Sequence, residues 1–236
     1  MAYNEGRLMN KGVSVLIPVY NNAEYIGKAI ESVLDQTFKP FEIIVADDGS
    51  EDGSGAIAAS YPGVRCISLT HQGVAAARNR LLEVAGCEWI SFLDADDLWV
   101  PEKLEKQMLY ISEHPDCDMV FCQCKNFTEL DEKEMTQRQK YVLTVEIEEY
   151  MTGACIRKSL FDRYGFFDTN YKYGEDTEWI SRLKISGVDT SHRIDEYLYL
   201  RRIHADNITL SHGTPNRKEY LTLMADAIRN ARKKEK

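Results

Sequence analysis

Short β-branched runs alternate with amphipathic stretches through the first hundred residues, and this alternation limits what the chain can become more than any other feature. Val13 to Val19 (VSVLIPV), Phe41 to Ala46, Val64 to Leu69 and Trp89 to Leu93 each read as a strand buried on both faces. Between them Ile26, Ala29, Ile30, Val33 and Leu34 recur at the spacing of an amphipathic helix. Further helices are expected around Ala56 and from Ala75 to Val84. Four βα units in succession specify an α/β fold with a parallel, doubly wound sheet and right-handed crossovers. Such sheets bind ligands beyond the carboxyl ends of their strands.

The second half is less regular. Pro101 is expected as a first helical position, with Leu104, Met108 and Ile111 on one face up to Pro115. Asp118 to Phe127 reads as a strand, and Asn126 to Lys140 as a loop or marginal helix. Strands are expected around Ala154 to Arg157 and Arg193 to Ile203, with helices near Lys158 to Tyr164 and Glu175 to Ser186. In the tail, Tyr220, Leu223, Met224 and Ile228 share one face ahead of a basic end. It reads as an amphipathic helix that packs on the domain or meets an anionic membrane.

The chain has 236 residues, 44% of them hydrophobic, which suffices for a full core. Its net charge of −9 argues against a nucleic-acid partner, because phosphate neutralisation needs a basic surface. Six cysteines fall mostly inside apolar runs without a CxxC pair, so they are expected as reduced core residues. The polar N-terminus and the lack of a run of about 18 apolar residues predict a soluble, cytoplasmic protein.

The polar residues that follow the strands are Pro18-Val-Tyr-Asn21, Asp47-Asp-Gly-Ser50 and Asp94-Ala-Asp-Asp97. Two carboxylates two apart at a strand end, Asp94 and Asp96, can face one oxygen-seeking cation, Mg²⁺ or Mn²⁺, while substrate phosphates complete its shell. An acidic turn also suits a helix cap, a role open to Asp97. In Asp47-Asp48 one carboxylate can accept from the N3–H of uracil, and the same residues suit a tight turn. Glu175 and Asp176 open a helix, where acids complement the macrodipole, and one of them is a candidate base for an acceptor hydroxyl.

Taken in order, Pro18-Val-Tyr-Asn21, Val45-Ala-Asp-Asp-Gly-Ser50, Gly73-Val-Ala-Ala-Ala-Arg-Asn79, Phe92-Leu-Asp-Ala-Asp-Asp97 and Gly174-Glu-Asp176 through Arg182-Leu183 resemble the family 2 glycosyltransferases of the GT-A fold over roughly residues 12 to 212. The resemblance implies a Rossmann-like, mostly parallel sheet flanked by helices, with a smaller mixed region on the acceptor side. On this reading one transferase domain spans 1–212, with its nucleotide-binding half about 12–115 and its acceptor half about 116–212, and the C-terminal amphipathic basic helix follows at 213–236. Pro18 and Tyr20 would lie against the base, Asp48 would contact uracil, and Arg78 would help hold the nucleotide. Asp96 would be the direct metal ligand, with Asp94 turned toward ribose or metal and His204 meeting the metal or diphosphate. Asp176 would be the general base, and Glu175 would orient it or the acceptor.

These assignments describe an inverting, metal-dependent hexosyltransferase. It would move a sugar from a nucleoside diphosphate, expected to be UDP, to a hydroxyl of a glycan or lipid-linked acceptor in cell-surface polysaccharide synthesis. Its place would be the cytoplasm, with peripheral contact at the inner membrane face through the tail. One alternative is a sugar-1-phosphate nucleotidyltransferase, but such an enzyme needs a glycine-rich basic loop after the first strand, where this chain has Pro18-Val-Tyr-Asn-Asn22. The other is a transferase-like domain that only binds a partner. The family reading requires Asp48, Asp96 and Asp176 to converge at one rim of the sheet.

Overall fold

The computed structural model describes residues 12–145 and 151–205, together with Asn207 and Ala225. In chain order the elements are β1 (Val13–Val19), α1 (Ile26–Leu34), β2 (Glu42–Asp47), α2 (Ser54–Ala59), β3 (Val64–Ser68), α3 (Val74–Val84), β4 (Trp89–Phe92), β5 (Leu98–Trp99), α4 (Lys103–Glu113), β6 (Met119–Phe127), α5 (Gln137–Leu143), a 3₁₀ turn (Met151–Gly153), β7 (Cys155–Arg157), α6 (Ser159–Tyr164), α7 (Glu175–Ile185) and β8 (Arg193–Arg202).

The strands form one eight-stranded sheet in the order β3-β2-β1-β4-β7-β6-β8-β5. Strands β3, β2, β1 and β4 pair in parallel, as do β6 and β8, whereas β7 runs antiparallel between β4 and β6 and β5 runs antiparallel to β8. The chain leaves β1 toward β2 and β3 and returns to add β4 on the other side of β1. This reversal opens a crevice at the carboxyl ends, where an α/β sheet places its ligand.

All seven residues of β1 are buried because helices cover both faces of the sheet. Val13, Val15, Ile17 and Val19 pack with Ile26, Ile30 and Val33 of α1 and with Leu104, Met108 and Ile111 of α4. Leu16, pointing the other way, joins Ile44, Ile90 and Phe92 against Leu81 of α3, Phe161 of α6 and Trp179 of α7.

Three features depart from the sequence reading. Pro101 and Glu102 lie in a turn, and α4 begins only at Lys103. The stretch Asn126 to Lys140, expected as a loop or marginal helix, ends inside α5, which runs on to Leu143 and is started by a capping box in which Thr136 and Gln139 satisfy each other's backbone amides. The two-residue β5 has no signal of its own and exists because β8 pairs with it. Of the tail, 213–236, only Ala225 is among the described residues, so the expected C-terminal helix lies outside them. Among the described residues, no helix is long and apolar enough to cross a membrane.

Candidate active site

The loops that follow β1 and β2 are wired together by hydrogen bonds of their own. Asn21, in a left-handed backbone conformation, receives a bond from the Glu51 amide at 2.9 Å, while its own amide donates to Ser50 Oγ at 2.9 Å. The Asn22 and Ala23 amides donate to Ser54 and Asp52. Gly49, at φ +79°, passes the backbone of the 69–73 loop so closely that a Cβ there would sit 3.1 Å from His71 N.

Asp48, buried at the end of β2, closes this region. Its carboxylate accepts from the Gln72 amide at 3.0 Å and the Gly73 amide at 2.8 Å, and lies 2.9 Å from His71 Nδ1. The His71 ring stacks on Tyr20 with centroids 4.0 Å apart and planes 23° apart. Both rings are about half exposed, at 44% for Tyr20 and 52% for the His71 side chain. Pro18 is buried in β1 beside Ala46. Asp48 also lines a cavity of about 300 Å³ together with Leu69, Gln72 and Ala76.

Arg78 of α3 joins the two halves of the chain. Its guanidinium donates to Asp94 Oδ1 at 2.8 Å through one terminal nitrogen and to Glu175 Oε1 at 2.6 Å through the other. The rings of Phe92 and Phe167 lie 5.8 and 5.9 Å from it. Burial works against its charge, but Asp94, Glu175 and Asp176 outweigh burial and raise its pKa. Its Nε is buried without a hydrogen-bond partner among the described residues.

Burial pushes the Asp94 carboxyl up; Arg78 opposes this, and the like charges of Asp96 and Asp176 add to it. The Asp94 side chain nevertheless keeps 38% of its surface open to the cleft. Glu175 is pushed up to about 7, by burial first, against Arg78 and with help from Asp176 and Asp94. Asp176, half-buried in the first turn of α7, uses Oδ1 to accept from the Thr177 amide at 2.7 Å, and Oδ2 makes no hydrogen bond among the described residues.

On the far side of the turn, Asp96 Oδ2 meets His204 Nε2 at 3.0 Å and Asn207 Nδ2 at 3.5 Å. The Asp96 carbonyl accepts from Arg202 Nε at 2.8 Å. Asp97 is a tertiary clasp and caps no helix. Its buried carboxylate accepts from the Arg202 amide at 2.7 Å and from the Tyr199 hydroxyl, fastening β8 to the turn. Burial, reinforced by Asp96 and Asp94, raises its pKa well above the usual carboxylate range.

The structure thus brings Asp94, Arg78, Glu175 and Asp176 into one electrostatic cluster and sets Asp96 against His204. Asp48, Tyr20 and Pro18 stand along the same carboxyl rim, at the ends of β2 and β1. His71, Asn207 and the clasp by Asp97 escaped the sequence reading. His71 carried only its place two residues before Gly73, and Asn207 carried no motif.

Among the described residues, no group of three or more His, Cys, Asp or Glu side chains gathers tightly enough to hold a metal by itself. The residues still fit a hard dication, because Mg²⁺ and Mn²⁺ sites often use one or two carboxylates and draw the other ligands from phosphate and water. The repulsion of Asp94 by Asp96 is the charge such an ion would relieve.

Glycosyl transferase family 2 matches residues 14–186 of the chain. An uncharacterized glycosyltransferase of Rickettsia typhi is 31% identical over 237 residues, covering 94% of this chain and 73% of the relative. TuaG of Bacillus subtilis, a putative teichuronic acid biosynthesis glycosyltransferase, is 41% identical over 106 residues, covering 43% of this chain and 42% of its own length. The structure of S. aureus TarS in complex with UDP-GlcNAc superposes with a TM-score of 0.73 at 23% identity, over 92% of this chain and 66% of that one. At that identity the likeness speaks for a shared GT-A fold.

Proposed function

The chain belongs to glycosyl transferase family 2, and from that membership we propose that it is an inverting, metal-dependent transferase moving a sugar from UDP to a hydroxyl of a glycan or lipid-linked glycan. The observation that carries the proposal is the Arg78 guanidinium held between Asp94 and Glu175, because it draws the acidic turn after β4 and the acidic helix start of α7 into one cleft. UDP-GlcNAc in TarS and the teichuronic acid reading of TuaG support the donor class and a role in cell-surface polysaccharide synthesis.

In this reading the Tyr20 and His71 rings form the platform beside which the base stacks. A carboxylate offers about four acceptor positions, and the three contacts to Asp48 leave one for an N–H such as that of uracil. Arg78 steadies Asp94 toward the ribose or the metal. Asp96, Asp94 and His204 would hold Mg²⁺ or Mn²⁺, which supplies charge neutralisation for the departing diphosphate. Asp176 accepts the proton of the acceptor hydroxyl as that oxygen attacks the anomeric carbon from the face opposite the diphosphate, and Glu175, pinned by Arg78, holds the helix start in place. A single in-line displacement inverts the centre.

The test is Asp176→Asn. UDP binding by calorimetry should stay within about threefold of the parent, while release of UDP from a panel of UDP-sugars with acceptor glycans should fall by about a thousandfold or more. Undiminished turnover rejects Asp176 as the base, and failure of the parent to bind UDP rejects the donor class.

A further inference from the structure

Lys103, the first residue of α4, is fully buried at 0% exposure, and among the described residues no carboxylate pairs with it. Lysine is almost never buried in this way without an anion, so the position has to be accounted for by geometry. Its ammonium donates to Ser91 Oγ at 3.0 Å and to Gln107 Oε1 at 2.9 Å, and sits 3.9 Å from the centre of the Trp99 ring. Two neutral dipoles and one π face therefore take up its three protons.

These contacts fall on both limbs of the acidic turn. Ser91 lies in β4, three residues before Asp94, and Trp99 lies in β5, two residues after Asp97. The exit limb is also tied to β8, since Trp99 pairs with Tyr199, whose hydroxyl binds Asp97. Gln107 anchors the ammonium to the acceptor side by donating to the Gly153 carbonyl at 2.8 Å, while Ser91 Oγ donates to the Ala154 carbonyl at 2.8 Å.

We propose that Lys103 is a positioning residue of this site, an ammonium group that bridges the entry and exit limbs of the Asp94–Asp97 turn and so sets the directions in which Asp94 and Asp96 face the cleft. The inference rests on the reading of those two residues as metal ligands. The titratable groups facing Lys103 are the thiols of Cys122 on β6 and Cys155 on β7. Burial pushes both of them up, Cys155 to about 12, so neither supplies an anion. Burial accordingly pulls Lys103 down from 10.5 to about 8. The folded protein then holds this proton less tightly than the unfolded chain does. Stability is withheld in full below pH 8 and returns as the pH rises toward 10.5. The bridge is thus retained against stability, a pattern expected of a functional site.

Lys103→Met in the full chain separates this role from simple packing. The variant should melt at the same temperature as the parent or higher, and should lose the rise in stability above pH 8. Its UDP affinity without metal should be unchanged, whereas the gain in affinity on adding Mg²⁺ should shrink by about tenfold. In the metal-free protein the amide resonances of residues 94–99 should broaden or split. A second measurement needs no variant: in the parent, the Mg²⁺-dependent gain should fade as the pH is raised through 8, and in Lys103→Met that step should be missing. An unaltered Mg²⁺ response with unaltered turn resonances overturns the proposal, as does a variant that loses stability and UDP affinity together with and without metal. If the parent shows no Mg²⁺-dependent binding, the proposed donor reaction fails instead, and the turn resonances alone decide the role of Lys103.

Discussion

Single side chains do two jobs in this cleft, and Glu175 shows the tension between them. It is buried and bonded to Arg78, yet burial outweighs that attraction and lifts its pKa from 4.5 to about 7. The folded state therefore binds this proton more tightly than the unfolded chain. The resulting stability is full below pH 4.5 and is lost as the pH rises through about 7. Glu175→Gln should flatten that decline, leaving the variant relatively more stable at pH 8 than at pH 5 by about 1–3 kcal/mol in urea titrations. An identical pH slope in both proteins would show that the carboxyl does not titrate there. Asp48 makes the complementary point. Its carboxyl oxygens face two backbone amides and a histidine ring, so the surrounding loops orient it as an acceptor.

Helices and strands position these groups through a few packed anchors. Helix α7 carries Glu175 and Asp176 to the rim because Trp179, fully buried, stacks on Phe161 at 4.2 Å and donates from its indole nitrogen to the Gly165 carbonyl at 2.7 Å. The buried ion pair of Glu178 with Arg182, one turn apart on the same helix, extends this anchor through Arg182 bonds to the carbonyls of Tyr164 and Phe166. Trp179→Phe removes the indole donor and leaves a void, which should cost about 2 kcal/mol in urea unfolding. It should slow transfer more than it weakens UDP binding, since the proposed base Asp176 sits on this helix and the proposed nucleotide platform of Tyr20 and His71 does not. Equal losses in both would place the anchor's influence elsewhere. Strand β8 acts in the same manner from the other side: the Asp97 clasp holds it where His204 and Asn207 reach Asp96.

For the whole molecule, the proposal requires that donor and metal stabilise the fold together. UDP with Mg²⁺ at about 100 times its Kd should add about 2.7 kcal/mol, which raises Tm by roughly 5–10 °C in a chain of this size. UDP alone should do less, and no shift with both present would count against a donor site in this cleft. Much of this was legible in the sequence. The βα alternation, the buried strands and the acidic residues at their ends follow from local periodicity and from the rule that doubly wound sheets present their carboxyl ends, and those signals lie within a dozen residues of one another. The tertiary structure alone decided what depends on meetings between distant segments. Arg78 reaches Asp94 16 positions away and Glu175 97 positions away, β5 exists only as a partner for β8, and His71 joins the candidate site only because the Asp48 and Tyr20 loops meet it. Periodicity reports which face of an element is buried, but not which neighbour lies against it. For that reason the fold and the rim could be read one element at a time, whereas the pairing of charges inside the cleft could not.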